Sequence, residues 1–347
     1  MSAAGRLPVP AWPRAVRCVT RALAALAIVL AAGCAPRLQP LGEAPAPPRL
    51  DDQSFRTADG VTLPVRRFLP DGSPKAVIVA LHGFNDYSNA FTDPARAWAK
   101  DGIATYAYDQ RGFGETPHRG LWPGVDILAS DAGAFARALR RRYPDTPLYL
   151  LGESMGGAVA MTALARDRSI PVDGVILAAP AVWARETMNP FQTGLLWIGA
   201  HTVPWLTLTG RGLHVRASDN DEMLRALSRD PLVIKETRVD TIYGLADLMD
   251  AAMDAAKDLP VPALVLYGEH DEVIPRDPVI AMLHRLPAQE NPRLRVAFYS
   301  TGYHMLLRDL HADKVIADVA SWIGNAGAPL PSGADAAAHQ ALAANAR

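Results

Sequence analysis

Short apolar runs alternate with longer segments along this chain of 347 residues. Several runs are continuously apolar, which is typical of strands that are buried on both faces of a sheet. The segment 126–142 instead places Ile127, Leu128, Ala132 and Phe135 at helical spacing, so that one face is apolar. The pattern predicts strands at residues 61–68, 76–81, 104–108, 148–151, 174–179, 263–267 and 294–299, and helices at residues 126–142, 155–166, 277–285 and 314–322.

Strands that alternate with helices predict the α/β class, with a doubly wound, mostly parallel sheet of the eight-stranded type. In such sheets the ligand site lies beyond the carboxyl ends of the strands. Residues from about 181 to 235 interrupt the alternation, and they place Trp197 and Trp205 among Gly and Pro residues rather than in one helical stripe. We expect this insertion to form a helical cap over the site; a further piece of helical core is the alternative.

The N-terminal residues 1–33 have the layout of a signal peptide. A region with four arginines precedes an apolar run, residues 22–32, that is too short to span a bilayer comfortably. Small residues then lead to Cys34 and resemble a bacterial lipobox, although Leu is more common where Ala31 stands. The resemblance implies that Cys34 carries lipid; an ordinary cleaved signal is the alternative. Because Ala35 follows, rather than Asp, it also implies a cell-envelope protein anchored at the periplasmic face of the outer membrane.

Two flanking segments are unlike the rest of the chain. Residues 34–50 are rich in Pro and Ala, which predicts an extended, semi-rigid tether. Residues 326–347 are rich in Ala and lack apolar periodicity, and we expect them to be disordered. The folded domain then comprises residues 51–325.

Charge and cysteine content narrow the function classes. The chain has 35 Lys and Arg against 36 Asp and Glu, and its net charge of -1 gives no global field that favours nucleic acid as a partner. The two cysteines, Cys18 and Cys34, both lie near the N-terminus. The rest of the chain can therefore hold neither a disulfide nor a thiolate metal site, and we expect no metal.

The strongest chemical signal is the sequence Gly152-Glu153-Ser154-Met155-Gly156, which has the form G-x-S-x-G. It follows an apolar strand and precedes a helical pattern, which is the context of a nucleophile on a sharp strand-to-helix turn. Glycines suit so tight a bend because a Cβ would clash there, and the helix N-terminus favours negative charge. We predict that Ser154 is a nucleophile; a purely structural Gly-Ser turn is the alternative.

A serine hydroxyl needs a base and a carboxylate, which in this context follow it in the order acid, then His. His304 lies just past the last predicted strand, whereas the other candidate histidines lie in the insertion, in helical patterns or in the tail. Asp271 follows the preceding strand, with Glu269 and Glu272 as neighbours. We predict that His304 is the base and that Asp271 holds its tautomer.

Hydrolysis through an acyl-enzyme also requires backbone N–H donors for the oxyanion. Met155, directly after the nucleophile, is one predicted donor. Phe84, in the loop after strand 76–81, is the other. His82 precedes Ser154, which is the wrong chain order for the base, and we expect it to brace this loop.

The chain contains five notable motifs, which are His82-Gly83-Phe84, Asp109-Gln110-Arg111-Gly112-Phe113-Gly114, Gly152-Glu153-Ser154-Met155-Gly156-Gly157, residues 268–271 and Tyr303-His304. Together they resemble the monoacylglycerol lipase and lysophospholipase branch of the α/β-hydrolases, of the serine aminopeptidase S33 type. That branch carries a helical cap, uses no cofactor and cleaves single-chain acyl esters, so the resemblance implies the same here. Asn85 stands where many relatives have Gly, and Glu153 stands where His is frequent.

We therefore expect a serine hydrolase that cleaves esters of fatty acids, of the monoacylglycerol or lysophospholipid type, at a membrane. The apolar insertion, with Trp197 and Trp205, is expected to receive the acyl chain. A short-chain carboxylesterase or a peptidase would use the same triad, and a non-enzymatic envelope scaffold is a further alternative. Epoxide hydrolases and dehalogenases are disfavoured, since those relatives place Asp where Ser154 stands.

Overall fold

A central sheet of nine strands runs through the computed structural model, which describes residues 35–345 apart from residues 211, 213–214, 260–261 and 288–293. The predicted signal peptide and Cys34 lie outside the described residues. The strands are β1 (Arg49–Leu50), β2 (Ser54–Arg56), β3 (Thr62–Phe68), β4 (Ala76–Leu81), β5 (Ile103–Tyr108), β6 (Leu148–Glu153), β7 (Gly174–Ala178), β8 (Thr207–Thr209), β9 (Glu236–Arg238), β10 (Ala263–Gly268) and β11 (Arg295–Tyr299), of which β8 and β9 pair separately.

The order of the sheet is β1-β2-β3-β5-β4-β6-β7-β10-β11. The six strands from β5 to β11 in this order are parallel, and β1 to β3 extend one edge in antiparallel pairing. The predicted strand positions are confirmed within two residues, and every residue of β4, β5, β7 and β10 is buried. The sheet has nine strands, and the sequence pattern did not predict β1 and β2, which are only two and three residues long.

Helices cover both faces of the sheet. One face packs against α2, α3, α6 and α7, and the other packs against α1 and α8. The sequence pattern did not predict α1, in which Trp98 is the one large buried side chain. The helices are α1 (Thr92–Lys100), α2 (Val125–Arg142), α3 (Met155–Arg166), α4 (Pro190–Thr202), α5 (Asp221–Arg229), α6 (Val239–Ala255), α7 (Arg276–Arg285), α8 (Ala312–Gly324) and α9 (Ala334–Asn345).

The C-terminal segment is ordered where disorder was expected. Helix α9 packs beside β11, with Ala334 and Ala338 buried. Arg295 of β11 forms an ion pair with Asp335 at 2.7 Å. Alanines spaced four residues apart form the packing face, and their low hydropathy concealed the periodicity of the helix.

The residues before β1 also differ from expectation. Residues 37–50, which we call the N-terminal strap, contain no helix and bind the domain instead of forming the free tether that the sequence predicts. The Gln39 amide donates to the Trp122 carbonyl at 2.8 Å. The Gly42 and Arg37 amides donate to the carboxylates of Asp59 and Asp240, at 2.8 and 3.1 Å.

Between β7 and α6, residues 179–238 leave the sheet and form an insertion with α4, α5 and the β8–β9 pair, at the position where the sequence predicts a cap. The insertion bonds to loops at the carboxyl ends of the strands: the Ile234 amide donates to the Asn85 carbonyl at 2.9 Å, and the Met305 amide donates to the Ala217 carbonyl at 3.0 Å. Among the described helices, none has the length and apolar character needed to cross a bilayer.

Candidate active site

Ser154 stands at the sharp turn between β6 and α3. Its φ of 53° and ψ of -115° place it outside the regions that non-glycine residues ordinarily adopt. Backbone hydrogen bonds hold it there, since its amide donates to the Ala178 carbonyl and its carbonyl accepts from Ala181, both at 2.9 Å. The turn is therefore a strained conformation that neighbouring backbone maintains.

Two glycines make this turn possible. A Cβ at Gly152 would lie 2.2 Å from the Gly156 carbonyl oxygen. A Cβ at Gly156 would lie 2.0 Å from the carbonyl oxygen of Leu81, the last residue of β4. Since neither backbone oxygen can move aside cheaply, any larger residue at these positions would displace β4 or α3.

Asp271 and His304 contact each other. His304 Nδ1 lies 2.8 Å from Asp271 Oδ2, with the histidine side chain 7% exposed and the aspartate side chain fully buried. The other carboxylate oxygen, Oδ1, accepts from the Val273 and Ile274 amides at 2.8 and 2.9 Å. A proton on Nδ1 satisfies the first contact, which leaves Nε2 as the basic nitrogen.

Neighbouring carboxylates do not make this contact. Glu272 accepts from the Arg216 amide of the insertion at 2.6 Å, and Glu269 is exposed. Asp271 is thus the acidic side chain of its loop that meets His304.

The predicted site residues gather at one edge of the sheet. Ser154, Asp271 and His304 follow β6, β10 and β11, and Phe84 follows β4; these parallel strands end on the same side. The loop that holds Phe84 lies directly beside the nucleophile, because a Cβ at Gly83 would be 3.5 Å from Ser154 Cβ. Their catalytic roles remain predictions.

The predicted oxyanion donors are the backbone amides of Phe84 and Met155. Among the described residues, the Phe84 and Met155 amides make no backbone hydrogen bond outside regular helix and strand pairing. The Phe84 ring packs edge-on against Phe113, with the ring centroids 5.6 Å apart. Their role as oxyanion donors stays a prediction.

Asn85 stands at a position where the sequence resemblance leads us to expect Gly. Its φ of 64° lies in the left-handed region, which Asn tolerates better than other side chains and Gly adopts freely. Its side-chain amide also donates to the Thr237 hydroxyl of β9 at 2.7 Å. Asn85 therefore keeps the backbone conformation that Gly would allow and adds a bond to the insertion.

Both ring nitrogens of His82 form hydrogen bonds with backbone atoms at the loop before Phe84. Its Nε2 accepts from the Gln110 amide at 2.9 Å, so Nδ1 carries the proton and donates to the Gly83 carbonyl at 2.8 Å. Burial lowers the pKa of the ring below its usual value, which keeps it neutral. The structure supports a bracing role for His82.

Sequence reasoning missed a buried ion cluster at the same edge. Arg308 lies 2.8 Å from Asp86 and donates to Glu153 at 3.0 Å. Burial lowers the pKa of Arg308, but the two carboxylates outweigh that effect and hold the pKa above its usual value. The three residues are far apart in sequence, and no motif links them.

Trp197 and Trp205 lie at the surface of the insertion. Their side chains are 54% and 53% exposed, and the Trp197 ring stacks on His201 with centroids 4.5 Å apart. Contact between these residues and a substrate remains a prediction. In the described part of the chain, no group of three or more His, Cys, Asp or Glu side chains is arranged to hold a metal ion.

Comparison with known proteins identifies the family. A family model described as serine aminopeptidase, S33, matches residues 72–311, which is well over half of the chain. The chain belongs to this hydrolase family. The monoacylglycerol lipase of Mycolicibacterium smegmatis is 26% identical to this S33 chain over 290 residues, which cover 78% of this chain and 96% of that protein. The monoglyceride lipase of Rattus norvegicus is 26% identical over 285 residues, which cover 77% and 88%.

A solved structure of similar fold is the monoacylglycerol lipase of Paleococcus ferrophilus, with a TM-score of 0.64 and 20% identity over 76% of this chain and 99% of that one. The fold is thus that of the α/β-hydrolases, and the predicted fold class is confirmed. The S33 protein is an enzyme, a hydrolase, and the resemblance to the monoacylglycerol lipase branch is confirmed; the lipoprotein part of the resemblance stays a prediction.

Proposed function

We propose that this S33 hydrolase cleaves carboxylic esters of single fatty acyl chains, of the monoacylglycerol or lysophospholipid type. Ester hydrolysis is the activity that the family and the two lipase relatives support. The single observation that carries the chemical assignment is the buried hydrogen bond from His304 to Asp271 at the edge where Ser154 stands on its strained turn.

The chemistry follows from these positions. Nε2 of His304 takes the Ser154 hydroxyl proton as Oγ attacks the ester carbonyl, and Asp271 stabilises the imidazolium that forms. The Phe84 and Met155 amides bind the resulting oxyanion. When this tetrahedral intermediate collapses, the bond between the carbonyl carbon and the alkoxy oxygen breaks, and His304 protonates the departing alcohol. Water then attacks the acyl-enzyme with His304 again as base, which releases the fatty acid and restores Ser154.

An apolar surface on the cap supports the lipid preference. Eight of the thirteen residues of α4 are exposed and only Ala200 is buried, and the helix carries no Asp, Glu, Lys or Arg. Several large apolar side chains exposed in one segment are typical of a site for lipid or another apolar partner. This surface, called here the cap surface, consists of Phe191, Leu195, Trp197, Ile198, Val203, Trp205, Leu206, Leu208 and Val215, all of them exposed.

Membrane attachment is a second part of the proposal. We propose that Cys34 carries lipid and holds the enzyme at the envelope membrane. The strap supports this, because Arg37 bonds to Asp240, whose own amide donates to the Pro204 carbonyl beside the cap surface at 3.1 Å. An anchor three residues before Arg37 would enter the bilayer within about 10 Å of that point. The cap surface and the anchor would then meet the same lipid layer.

A substrate panel tests the activity. The purified full chain is assayed against monoacylglycerols and lysophospholipids of graded acyl length, short p-nitrophenyl esters and aminoacyl p-nitroanilides. We expect the highest kcat/KM on long single-chain esters, and no hydrolysis of them by Ser154→Ala. A preference for short esters would support a carboxylesterase instead, and a preference for anilides would support an aminopeptidase. Absence of hydrolysis by folded protein would contradict the proposal.

Metabolic labelling tests the anchor. Cells that express the full chain are fed an alkyne-tagged fatty acid. We expect incorporation in the wild type and none in Cys34→Ser, which should also leave the membrane fraction more readily. Equal labelling of the two proteins would contradict lipidation at Cys34.

A further inference from the structure

The ion cluster of Arg308, Asp86 and Glu153 joins three loops that carry the predicted chemistry. Glu153 is the last residue of β6 and directly precedes Ser154. Asp86 lies two residues after Phe84 in the loop that follows β4. Arg308 lies four residues after His304, and its amide donates to the Met305 carbonyl at 2.8 Å. One guanidinium thus connects the nucleophile turn, the oxyanion loop and the histidine loop.

The contacts are specific and lie out of solvent. The side chains of Arg308, Asp86 and Glu153 are 11%, 7% and 3% exposed. Each terminal guanidinium nitrogen faces one carboxylate, since Nη1 meets Asp86 and Nη2 meets Glu153. The second oxygen of Asp86 accepts from the Tyr87 amide at 2.8 Å, which also fixes the direction of that carboxylate.

Stability alone does not explain the cluster. Desolvation of buried charges offsets most of their attraction, so a buried ion cluster contributes little net stability compared with apolar packing. This cluster is also incompletely bonded: Glu153 Oε1 and Arg308 Nε have no hydrogen-bond partner among the described residues, and Asp86 Oδ2 meets Arg308 as an ion pair without hydrogen-bond geometry. Its distinctive effect is geometric, since it fixes the separation of three backbone segments.

We propose that Arg308, Asp86 and Glu153 are positioning residues that hold the oxyanion donors, Ser154 and His304 in mutual register. The proposal rests on the proposed function, because it assigns the three loops their catalytic roles. It also gives Glu153 a role, because its carboxylate, beside the nucleophile, pairs with Arg308. A displacement of about 1 Å at a reacting group can lower a rate about a hundredfold, so small shifts of these loops matter.

Matched amide substitutions test this proposal in the full chain. Glu153→Gln removes one charge from the cluster and keeps its shape. Asp131→Asn does the same in a comparable buried cluster, in which Arg111 pairs with Asp131 at 2.6 Å and with Asp59. Kinetics on a soluble ester, the rate of fluorophosphonate labelling and the melting temperature are measured for both variants.

We expect Glu153→Gln to lower kcat by about tenfold to a hundredfold and to slow labelling similarly, with KM changed less than about threefold. Asp131→Asn should lower the melting temperature while kcat per folded molecule stays within about twofold. Arg308→Lys should retain more kcat than Arg308→Met, because the ammonium can pair with one carboxylate. If Arg308→Met does not fold, the Glu153→Gln result still decides.

A kcat for Glu153→Gln within about twofold of wild type, with a melting temperature lowered as in Asp131→Asn, would show a merely structural cluster and overturn the proposal. That result differs from failure of the proposed function, in which the wild-type enzyme itself would hydrolyse no ester and take up no label.

Discussion

The loops at the carboxyl edge of the sheet and the cap surface differ in how their side chains are held. At the edge, Asp271 receives two amides and the His304 ring, and Arg308 is paired with two carboxylates. On the cap, α4 buries one residue of thirteen and exposes most of its apolar side chains to solvent. Hydrogen bonds and ion pairs thus hold the side chains of the proposed catalytic site in place. The cap surface instead exposes apolar side chains that have no fixed partners. Changes at the edge should therefore affect the rate of chemistry, and changes on the cap should affect the use of lipid substrates.

Removal of the nucleophile should give the largest effect. We expect Ser154→Ala to lower kcat by about 10⁴-fold or more on every ester, because no acyl-enzyme can form. The melting temperature should not fall, since the Ser154 contacts described above involve its backbone. Ser130→Ala, on the exposed surface of α2, is the matched control and should keep full activity. Substantial residual turnover by Ser154→Ala would assign the chemistry to another group.

The next largest effect is expected at Asp271. Asp271→Asn should lower kcat by about 10³- to 10⁴-fold, because an amide in place of the carboxylate favours the wrong tautomer of His304. Glu272→Gln removes a neighbouring carboxylate that bonds the Arg216 amide, and we expect it to change kcat less than about threefold. Steady-state kinetics on a soluble ester compare the two. Equal losses of kcat in the two variants would contradict the assignment of Asp271, rather than Glu272, as the carboxylate that supports His304.

A smaller and more selective effect is expected on the cap. Leu195→Asp with Ile198→Asp places two charges on exposed positions of α4 and should leave the melting temperature unchanged. Hydrolysis of vesicle-embedded monoacylglycerol should fall about tenfold or more, because charged residues cannot enter the lipid layer, while hydrolysis of a soluble short ester stays constant. Gln192→Asp, an exposed polar position of the same helix, is the control. An equal loss on both substrates would contradict a lipid-contacting cap surface.

The smallest expected effect concerns Asn85. Asn85→Val should lower the free energy of unfolding by about 1–2 kcal/mol, because a β-branched residue is strained at positive φ, and kcat should fall with it. Asn85→Gly keeps the backbone conformation and should cost less, although it removes the bond to Thr237. Denaturant titration measures both variants. A Val variant as stable as Gly would show that backbone conformation at this position is unimportant.

The sequence predicted the parts that local patterns determine. Continuous apolar runs gave the buried strands, and the G-x-S-x-G context placed Ser154 at the end of β6. Chain order then singled out His304 and Asp271, which lie in hydrogen-bond contact. These features could be predicted from the sequence because each depends on a strand and the few residues that follow it.

Ion pairs between residues distant in sequence, and packing through weakly apolar side chains, could not be predicted from the sequence. Arg308 meets Asp86 and Glu153 across more than 150 residues of chain, so no local pattern marks the cluster. Helix α9 packs through alanines, which carry too little hydropathy for a clear stripe. The N-terminal strap is held mainly by backbone amides such as that of Gln39, which composition does not reveal.

Pre-steady-state kinetics test the central claim most directly. The full chain is mixed with excess p-nitrophenyl ester, p-nitrophenolate is followed on the millisecond scale, and the peptides of the quenched enzyme are weighed. We expect a burst matching the enzyme concentration, an acyl mass on the peptide that contains Ser154, and neither in His304→Ala. Hydrolysis without an acylated Ser154 peptide, or a full burst in His304→Ala, would contradict the proposed triad.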